Sequence, residues 1–332
     1  MSPPAPDHAV GVRVRVAGLL AKPELNGKDG CISEFKPGSP DRWMVSLDSG
    51  GAYALKQCNL RLLPGPSFRL VAGSAALQGL RSSQEDRHIK IPDLSKAARA
   101  LKMPVDHLGQ PCAFFAVFDG HQGQLCSEFA ARHLHLRLLK RLTAETSPCS
   151  DEQLADAIRR AFLDVDTEFL ARHRTSPDGT TVVAALIVGD RCFIAWAGDS
   201  RGILCQRSEV VFATEDHRPT NPSEQERVLK VGGEVTNMGD GAWRVARAGY
   251  EDRVREINRA EQQGMGLIGK YPVALAVSRS LGDREFKSVT GSQGSQDVII
   301  ATPEVRCFLL DKSHTLLALM CDGVTDAMND KE

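Results

Sequence analysis

The chain has 332 residues, 42% of them hydrophobic, with 41 Lys and Arg against 42 Asp and Glu for a net charge of −1. That length holds one large or two ordinary domains, and a near-neutral balance gives no electrostatic ground for nucleic acid or a membrane surface as partner. No apolar run reaches the roughly 18 to 20 residues of a membrane span, residues 1–6 lack the pattern of a secretory leader, and nine cysteines without a Cys-x-x-Cys pair predict reduced thiols in an intracellular chain, cytoplasmic or nuclear, rather than a disulfide framework or a zinc site.

In chain order, the first unit spans residues 11–63. Val12-Arg13-Val14-Arg15-Val16 alternates, Leu25-Asn26-Gly27-Lys28-Asp29-Gly30 reads as a turn, Arg42-Trp43-Met44-Val45-Ser46-Leu47 alternates again, and Asp48-Ser49-Gly50-Gly51 turns into Ala52-Tyr53-Ala54-Leu55. Short strands with glycine punctuation predict a small antiparallel barrel. It is similar to SH3-like modules that have an Asn-Gly-x-x-Gly turn followed by an Arg-Trp-x-Val strand. Trp43 and Tyr53 either line a peptide groove or fill the core, and aromatic side chains in so small a barrel favour the core. Residues 64–74, opening with Pro64-Gly65-Pro66, read as a linker.

Residues 75–332 mix strands and helices. Helical spacing covers 124–142, and Ser150-Asp151-Glu152-Gln153 opens a further helix as a capping box, with Leu154, Ile158, Phe162, Val165 and Phe169 on one face. Residues 180–188 and 191–197 form a hairpin through Gly189-Asp190, extended by 200–206. Three apolar runs end in acid: Val117-Phe118-Asp119-Gly120, Trp196-Ala197-Gly198-Asp199 and Leu319-Met320-Cys321-Asp322-Gly323. Each reads as a buried strand delivering a carboxylate to its own end. Asp-Gly is also an ordinary turn, but ionised carboxylates beside apolar side chains need a positive partner, and hard oxygen donors suit magnesium or manganese. Antiparallel strands with separate helices predict an α+β fold, a β-sandwich flanked by helices.

The neighbours of these turns narrow the reading. Phe118-Asp119-Gly120-His121-Gln122-Gly123, Asp178-Gly179-Thr180-Thr181, Gly198-Asp199-Ser200-Arg201, Asp216-His217-Arg218-Pro219, Gly232-Gly233-Glu234-Val235, Leu275-Ala276-Val277-Ser278-Arg279-Ser280-Leu281-Gly282-Asp283, Pro303-Glu304-Val305 and Cys321-Asp322-Gly323-Val324-Thr325-Asp326 follow one another, preceded by Arg81-Ser82-Ser83-Gln84-Glu85-Asp86. In this order they resemble the metal-dependent serine/threonine protein phosphatases of type 2C. The resemblance runs from about Ala75 to the last residue and implies the αββα sandwich of that family.

It implies a phosphoserine and phosphothreonine hydrolase in which a hydroxide held between two Mg2+ or Mn2+ ions attacks phosphorus directly. Asp119 is placed between both metals with the Gly120 carbonyl beside it, Glu85 toward one metal and Asp322 toward the other. Asp199 and Asp326, with Asp322, match a weaker third metal position. Asp86 is expected behind these ligands, orienting them. His121 titrates near working pH and suits the general acid for the leaving group, and Arg81 offers a forked donor for phosphate. The expected partners are phosphorylated proteins and a protein ligand of the barrel, the chain itself being a monomer.

Cys126-Ser127-Glu128-Phe129-Ala130-Ala131-Arg132 matches the Cys-x5-Arg pattern of cysteine phosphatases, but it falls inside a helical pattern without a glycine-rich loop. Gly264-Met265-Gly266-Leu267-Ile268-Gly269 matches a dinucleotide loop, yet charged residues precede it where a strand is required. Residues 236–272 read as a flap-like insertion with a helical stretch over 250–262, a place for selectivity or regulation. The family pattern continues to a further Asp-Asn pair and a last strand that these 332 residues do not include. The alternative is therefore a pseudophosphatase or phosphoprotein-binding scaffold that recognises phosphorylated chains without turnover.

Overall fold

Alternation in the first strand does what the pattern predicts: Val14 and Val16 are fully buried in β1 (Arg13–Val16). With β2 (Asp29–Lys36), β3 (Arg42–Leu47), β4 (Ala52–Lys56) and β5 (Leu60–Leu62) it forms an antiparallel sheet in the order β4-β3-β2-β1-β5, consistent with a small barrel. Its core is its own, built from Val14, Val16, Leu25, Ile32, Trp43, Val45, Leu47, Leu55 and Leu60. Trp43 is 2% exposed and so belongs to that core, while Tyr53 packs against it with Lys22 Nζ 5.0 Å from its ring centroid. The predicted turn is shorter than expected, because Asp29 and Gly30 already pair with β1 and β3.

The computed structural model describes residues 12–38, 42–63, 68, 70–103, 105, 107–144, 149–239, 241–263, 271–287, 297–328 and 330. Pro64-Gly65-Pro66 and the glycine segment 264–269 lie outside them. Leu70, inside the predicted linker, packs on the sandwich core of the main body, so the body begins before residue 75.

That body contains β6 (Arg87–Ile91), α1 (Leu94–Ala100), β7 (Cys112–His121), α2 (Leu125–Thr143), α3 (Asp151–Arg172), β8 (Gly179–Val188), β9 (Arg191–Ala197), β10 (Arg201–Gln206) and β11 (Glu209–Ala213). They are followed by α4 (Pro222–Lys230), β12 (Glu234–Asn237), β13 (Trp243–Ala246), α5 (Tyr250–Gln262), β14 (Ala274–Leu275), β15 (Leu281–Gly282), β16 (Glu304–Leu309), β17 (His314–Met320) and α6 (Asp322–Thr325). One sheet runs β16-β9-β8-β7-β6 with β15 also on β8, a second runs β11-β10-β17, and a third β12-β13-β14.

Period-two geometry sorts the strands onto two cores. From β7, Cys112, Phe114, Ala116 and Phe118 join the helical layer with Leu134, Leu138, Ile158, Phe162 and Phe169. The alternate residues Ala113, Phe115 and Val117 face the second sheet, with Val183, Ile194, Trp196, Leu204, Leu317 and Leu319. Ser150 caps α3 in a reciprocal box with Gln153, as its sequence predicts. The third acid-bearing strand departs from expectation: among the described residues β17 pairs with β10 alone and Leu316 is 55% exposed, so the strand is only half buried. Among the described residues no helix is long and apolar enough to cross a membrane.

The barrel meets the body at the β8–β9 turn, where Arg13 Nε lies 3.7 Å from Asp190 Oδ1 while Nη1 of the same guanidinium holds Asp48 Oδ1 at 2.6 Å. The 236–272 insertion contains β13 and the predicted charged helix, present as α5, and Val245 of β13 packs with the flanking residues Val228, Leu275, Val277, Phe286 and Ile299. Arg247 Nη1 ties it to the Glu285 carbonyl at 2.9 Å.

Candidate active site

The acidic strand ends converge. Asp119 is not in a turn, since Asp119, Gly120 and His121 remain in register with Thr181, Thr180 and Gly179, and Thr180 Oγ1 donates to the Asp119 carbonyl at 3.0 Å. Ladder hydrogen bonds to β8 thus hold the carboxylate on rigid backbone. Asp199 follows β9 through Gly198, whose N–H donates to His217 Nδ1 at 3.2 Å and whose carbonyl accepts from the His217 N–H at 2.9 Å. Asp322 starts α6, brought alongside by the Arg201 to Met320 register of β10 and β17.

Asp86 joins them because Arg87 pairs with Phe118, which sets its predecessor opposite Asp119. Side-chain donor atoms of Asp86, Asp119 and Cys321 all lie within 4.8 Å of one another, with Cys321 Sγ donating to Asp86 Oδ2 at 3.3 Å. Burial, then the charges of Asp322 and Asp86, push the Asp119 carboxyl up to about 8. Burial and then Asp322 push Asp199 to about 6, and burial with Asp86 pushes the Cys321 thiol to about 12. Several carboxylates thus compete for one patch of low dielectric, where Arg218 offsets the charge on Asp199 only in part and burial and acidic neighbours dominate at Asp119. A hard divalent cation fits that donor set.

The other predicted residues fall around this cluster. Glu85 shows its carbonyl to Ser127 Oγ at 2.5 Å and its carboxylate to Ser83 Oγ at 3.4 Å, beside rather than within the Asp86, Asp119 and Cys321 group. The Gly120 backbone packs on Glu85, since a β-carbon there would strike the Glu85 carbonyl oxygen at 2.6 Å. Asp326 is exposed one helical turn past Asp322, its N–H donating to the Asp322 carbonyl at 2.8 Å. Arg81 is exposed on an irregular segment ahead of β6. No ion pair joins it to Glu85 among the described residues.

His121 has a partner that local spacing did not disclose. Its Nε2 lies 2.9 and 2.8 Å from the two carboxylate oxygens of Asp283, a side chain with no solvent exposure. Burial opposes the imidazolium, and the Asp283 carboxylate outweighs it, holding His121 above its ordinary value. Asp178, from another of the quoted motifs, caps α2 by accepting from the Leu125 N–H at 2.9 Å. Arg201 bridges Asp216 at 2.7 Å and Asp330 at 2.8 Å. Cys126 lies on α2 and is 1% exposed, with burial raising its thiol well above the ordinary range, which describes an inert side chain rather than a nucleophile.

The sequence profile described as Protein phosphatase 2C matches residues 71–332. Probable protein phosphatase 1N of Mus musculus is 32% identical over 284 residues, which cover 85% of this chain and 59% of that protein. Probable protein phosphatase 2C 2 of Oryza sativa subsp. japonica is 34% identical over 272 residues, covering 80% and 60%. The chain thus spans less than two thirds of the length of these relatives. Among solved structures, serine-threonine phosphatase 2C from Toxoplasma gondii superposes with a TM-score of 0.58 at 22% identity, covering 75% of this chain and 77% of that one, which shows the fold. A C. elegans sex determining protein gives a TM-score of 0.56 at 26% identity, covering 76% and 52%.

Proposed function

The chain belongs to the protein phosphatase 2C family, and from that premise we propose that it is a metal-dependent serine/threonine protein phosphatase acting on phosphoserine and phosphothreonine in protein substrates. The observation that carries this reading is the convergence of Asp119, Asp199 and Asp322 from separate strand ends onto a cluster in which the Asp119 carboxyl is pushed up to about 8 by burial and by its acidic neighbours.

Asp119 would be the shared ligand of two Mg2+ or Mn2+ ions, with Asp322 and the Gly120 carbonyl beside it, Asp86 and Glu85 on the β6 side, and Asp199 and Asp326 toward a weaker third ion. When bound, such ions neutralise phosphoryl oxygens and acidify water so that it is a nucleophile at neutral pH. The chain's own groups supply the rest. Arg81, exposed and without an acidic partner among the described residues, offers a forked pair of donors to phosphate oxygens. His121, held by Asp283, stands two residues from Asp119 as the proton donor to the departing seryl or threonyl oxygen. Residues 11–63 are proposed as an interaction module that takes no part in chemistry.

The test is turnover of phosphoserine and phosphothreonine peptides with and without added metal. Hydrolysis that requires Mg2+ or Mn2+ and stops on chelation is expected. Persistent turnover in chelator, or loss on alkylating Cys126 with metal binding intact, would sink the assignment.

A further inference from the structure

The pairing of His121 with Asp283 joins the end of β7 to a residue 162 positions downstream, and everything around it is built to keep it. Asp283 has φ +50°, the left-handed region that L residues enter at a cost. Its N–H donates to the Asp178 carbonyl at 3.0 Å, and Ser280 Oγ donates to its Oδ2. The preceding Gly282 N–H donates to Asp166 Oδ1 at 2.8 Å. Asp166 in turn is held by buried Lys287 Nζ at 2.5 Å, whose second bond goes to the Ser280 carbonyl at 3.0 Å. On the opposite side Gly179 presses its backbone against the pair, and a β-carbon there would collide with both Asp283 Oδ2 and His121 Nε2.

A carboxylate only accepts hydrogen bonds, so His121 Nε2 must bear the hydrogen it shares with Asp283. Nδ1 then is the other ring nitrogen, and it has no protein partner among the described residues, on a ring that is 24% exposed. We propose that Asp283 is the positioning residue of the reaction: it fixes the His121 ring through Nε2 so that Nδ1 is the nitrogen presented to the leaving group. The inference rests on the general-acid role given to His121 above. In the step it serves, the P–O bond breaks, its electron pair stays on the seryl oxygen, and that oxygen takes the Nδ1 proton. The ring is left neutral with its hydrogen still on Nε2, donated to Asp283, so no change of tautomer is needed.

The testing variant is Asp283→Asn, because asparagine tolerates left-handed backbone and keeps an oxygen for Ser280. In the 332-residue chain with Mn2+, turnover of a phosphoserine peptide should fall about 100-fold, the scale of a general acid's contribution, while p-nitrophenyl phosphate, whose leaving group needs no proton, should change by less than about threefold. KM and the Mn2+ requirement should hold, and the double variant with His121→Ala should be no slower than His121→Ala alone. Equal losses on both substrates, or additive losses in the double variant, would overturn the proposal. If His121→Ala itself shows no preference between the two substrates, the general-acid reading fails; if it does and Asp283→Asn does not, this inference alone fails. A readout independent of turnover is the long-range 1H–15N spectrum of the metal-free chain, with His121 assigned by its loss in His121→Ala. A hydrogen on Nε2 that is redistributed in Asp283→Asn is expected, and a wild-type ring protonated on Nδ1 alone would refute the geometry.

Discussion

Replacing Asp119 by asparagine in the metal-free chain should stabilise it, a result opposite to most substitutions on a rigid strand. The wild-type carboxyl is pushed from its ordinary 3.8 up to about 8 by burial and by Asp322 and Asp86. A carboxyl whose proton affinity is higher folded than unfolded favours the native state least when ionised. Between the two values the unfolded chain binds fewer protons, so stability falls as pH rises from about 4 to about 8. Each tenfold of affinity is worth about 1.4 kcal/mol, so the interval from pH 5 to pH 8 amounts to about 4 kcal/mol in a dry site. Asp119 is only partly buried, and solvent screening brings the figure to about 2 kcal/mol. For a domain of this size that is a shift of about 5 °C in melting temperature. Thermal melts at pH 5 and pH 8, with chelator and with Mn2+, are the assay. Wild type should lose stability toward pH 8 and regain it with Mn2+, which acts by binding the folded state. Asp119→Asn should melt about 5 °C higher than wild type at pH 8 in chelator, differ little at pH 5, and gain little from Mn2+. A variant that melts at or below wild type at pH 8 without metal, or gains as much from Mn2+, would refute the argument that like charges at this patch are left uncompensated.

His121→Ala should lower phosphopeptide turnover by about 100-fold or more while leaving Mn2+ stabilisation as in wild type, so thermal melts in Mn2+ separate it from Asp119→Asn; a loss of that stabilisation would make His121 part of the metal site instead. A chain beginning at Phe68 should keep its peptide turnover within about tenfold, or 1.4 kcal/mol, because the barrel's ion pair to Asp190 sits at the opposite end of β8 from Gly179 and Thr181, about 30 Å away at the rise of a strand. A larger loss in a chain that remains folded by circular dichroism would show that the barrel supports the site.

How much of this was legible in the sequence follows from how local each feature is. The helix over 151–172 could be read because Ser150 and Gln153 are three residues apart and satisfy each other's backbone, and the 189–190 hairpin because its turn is two residues long. Trp43 could be assigned to the barrel core on composition alone, and it is there. Short elements escaped: α1 has seven residues and β14 and β15 two each, too few for a period to register. The half-buried state of β17 escaped for another reason. Its residues Leu319 and Met320 read as core, but burial depends on what covers a strand, and among the described residues β17 has a single neighbour in its sheet.

At the site the limit is register. Asp119, Asp199 and Asp322 announce themselves as acids that terminate apolar runs, a property of adjacent residues. Asp86 enters the cluster only because Arg87 pairs with Phe118, a pairing that slides out of place with a shift of one residue and that no local spacing specifies. Asp283 is harder still: it stands inside a motif that the sequence displays in full, yet its meaning comes from Gly282 pairing with Gly179 while His121 pairs with that same Gly179. One glycine on β8 thus receives both partners, on either side, and its missing side chain is the space in which histidine and aspartate meet. The two motifs that supply them are separate in sequence because the sheet, and not the chain, is what brings them together.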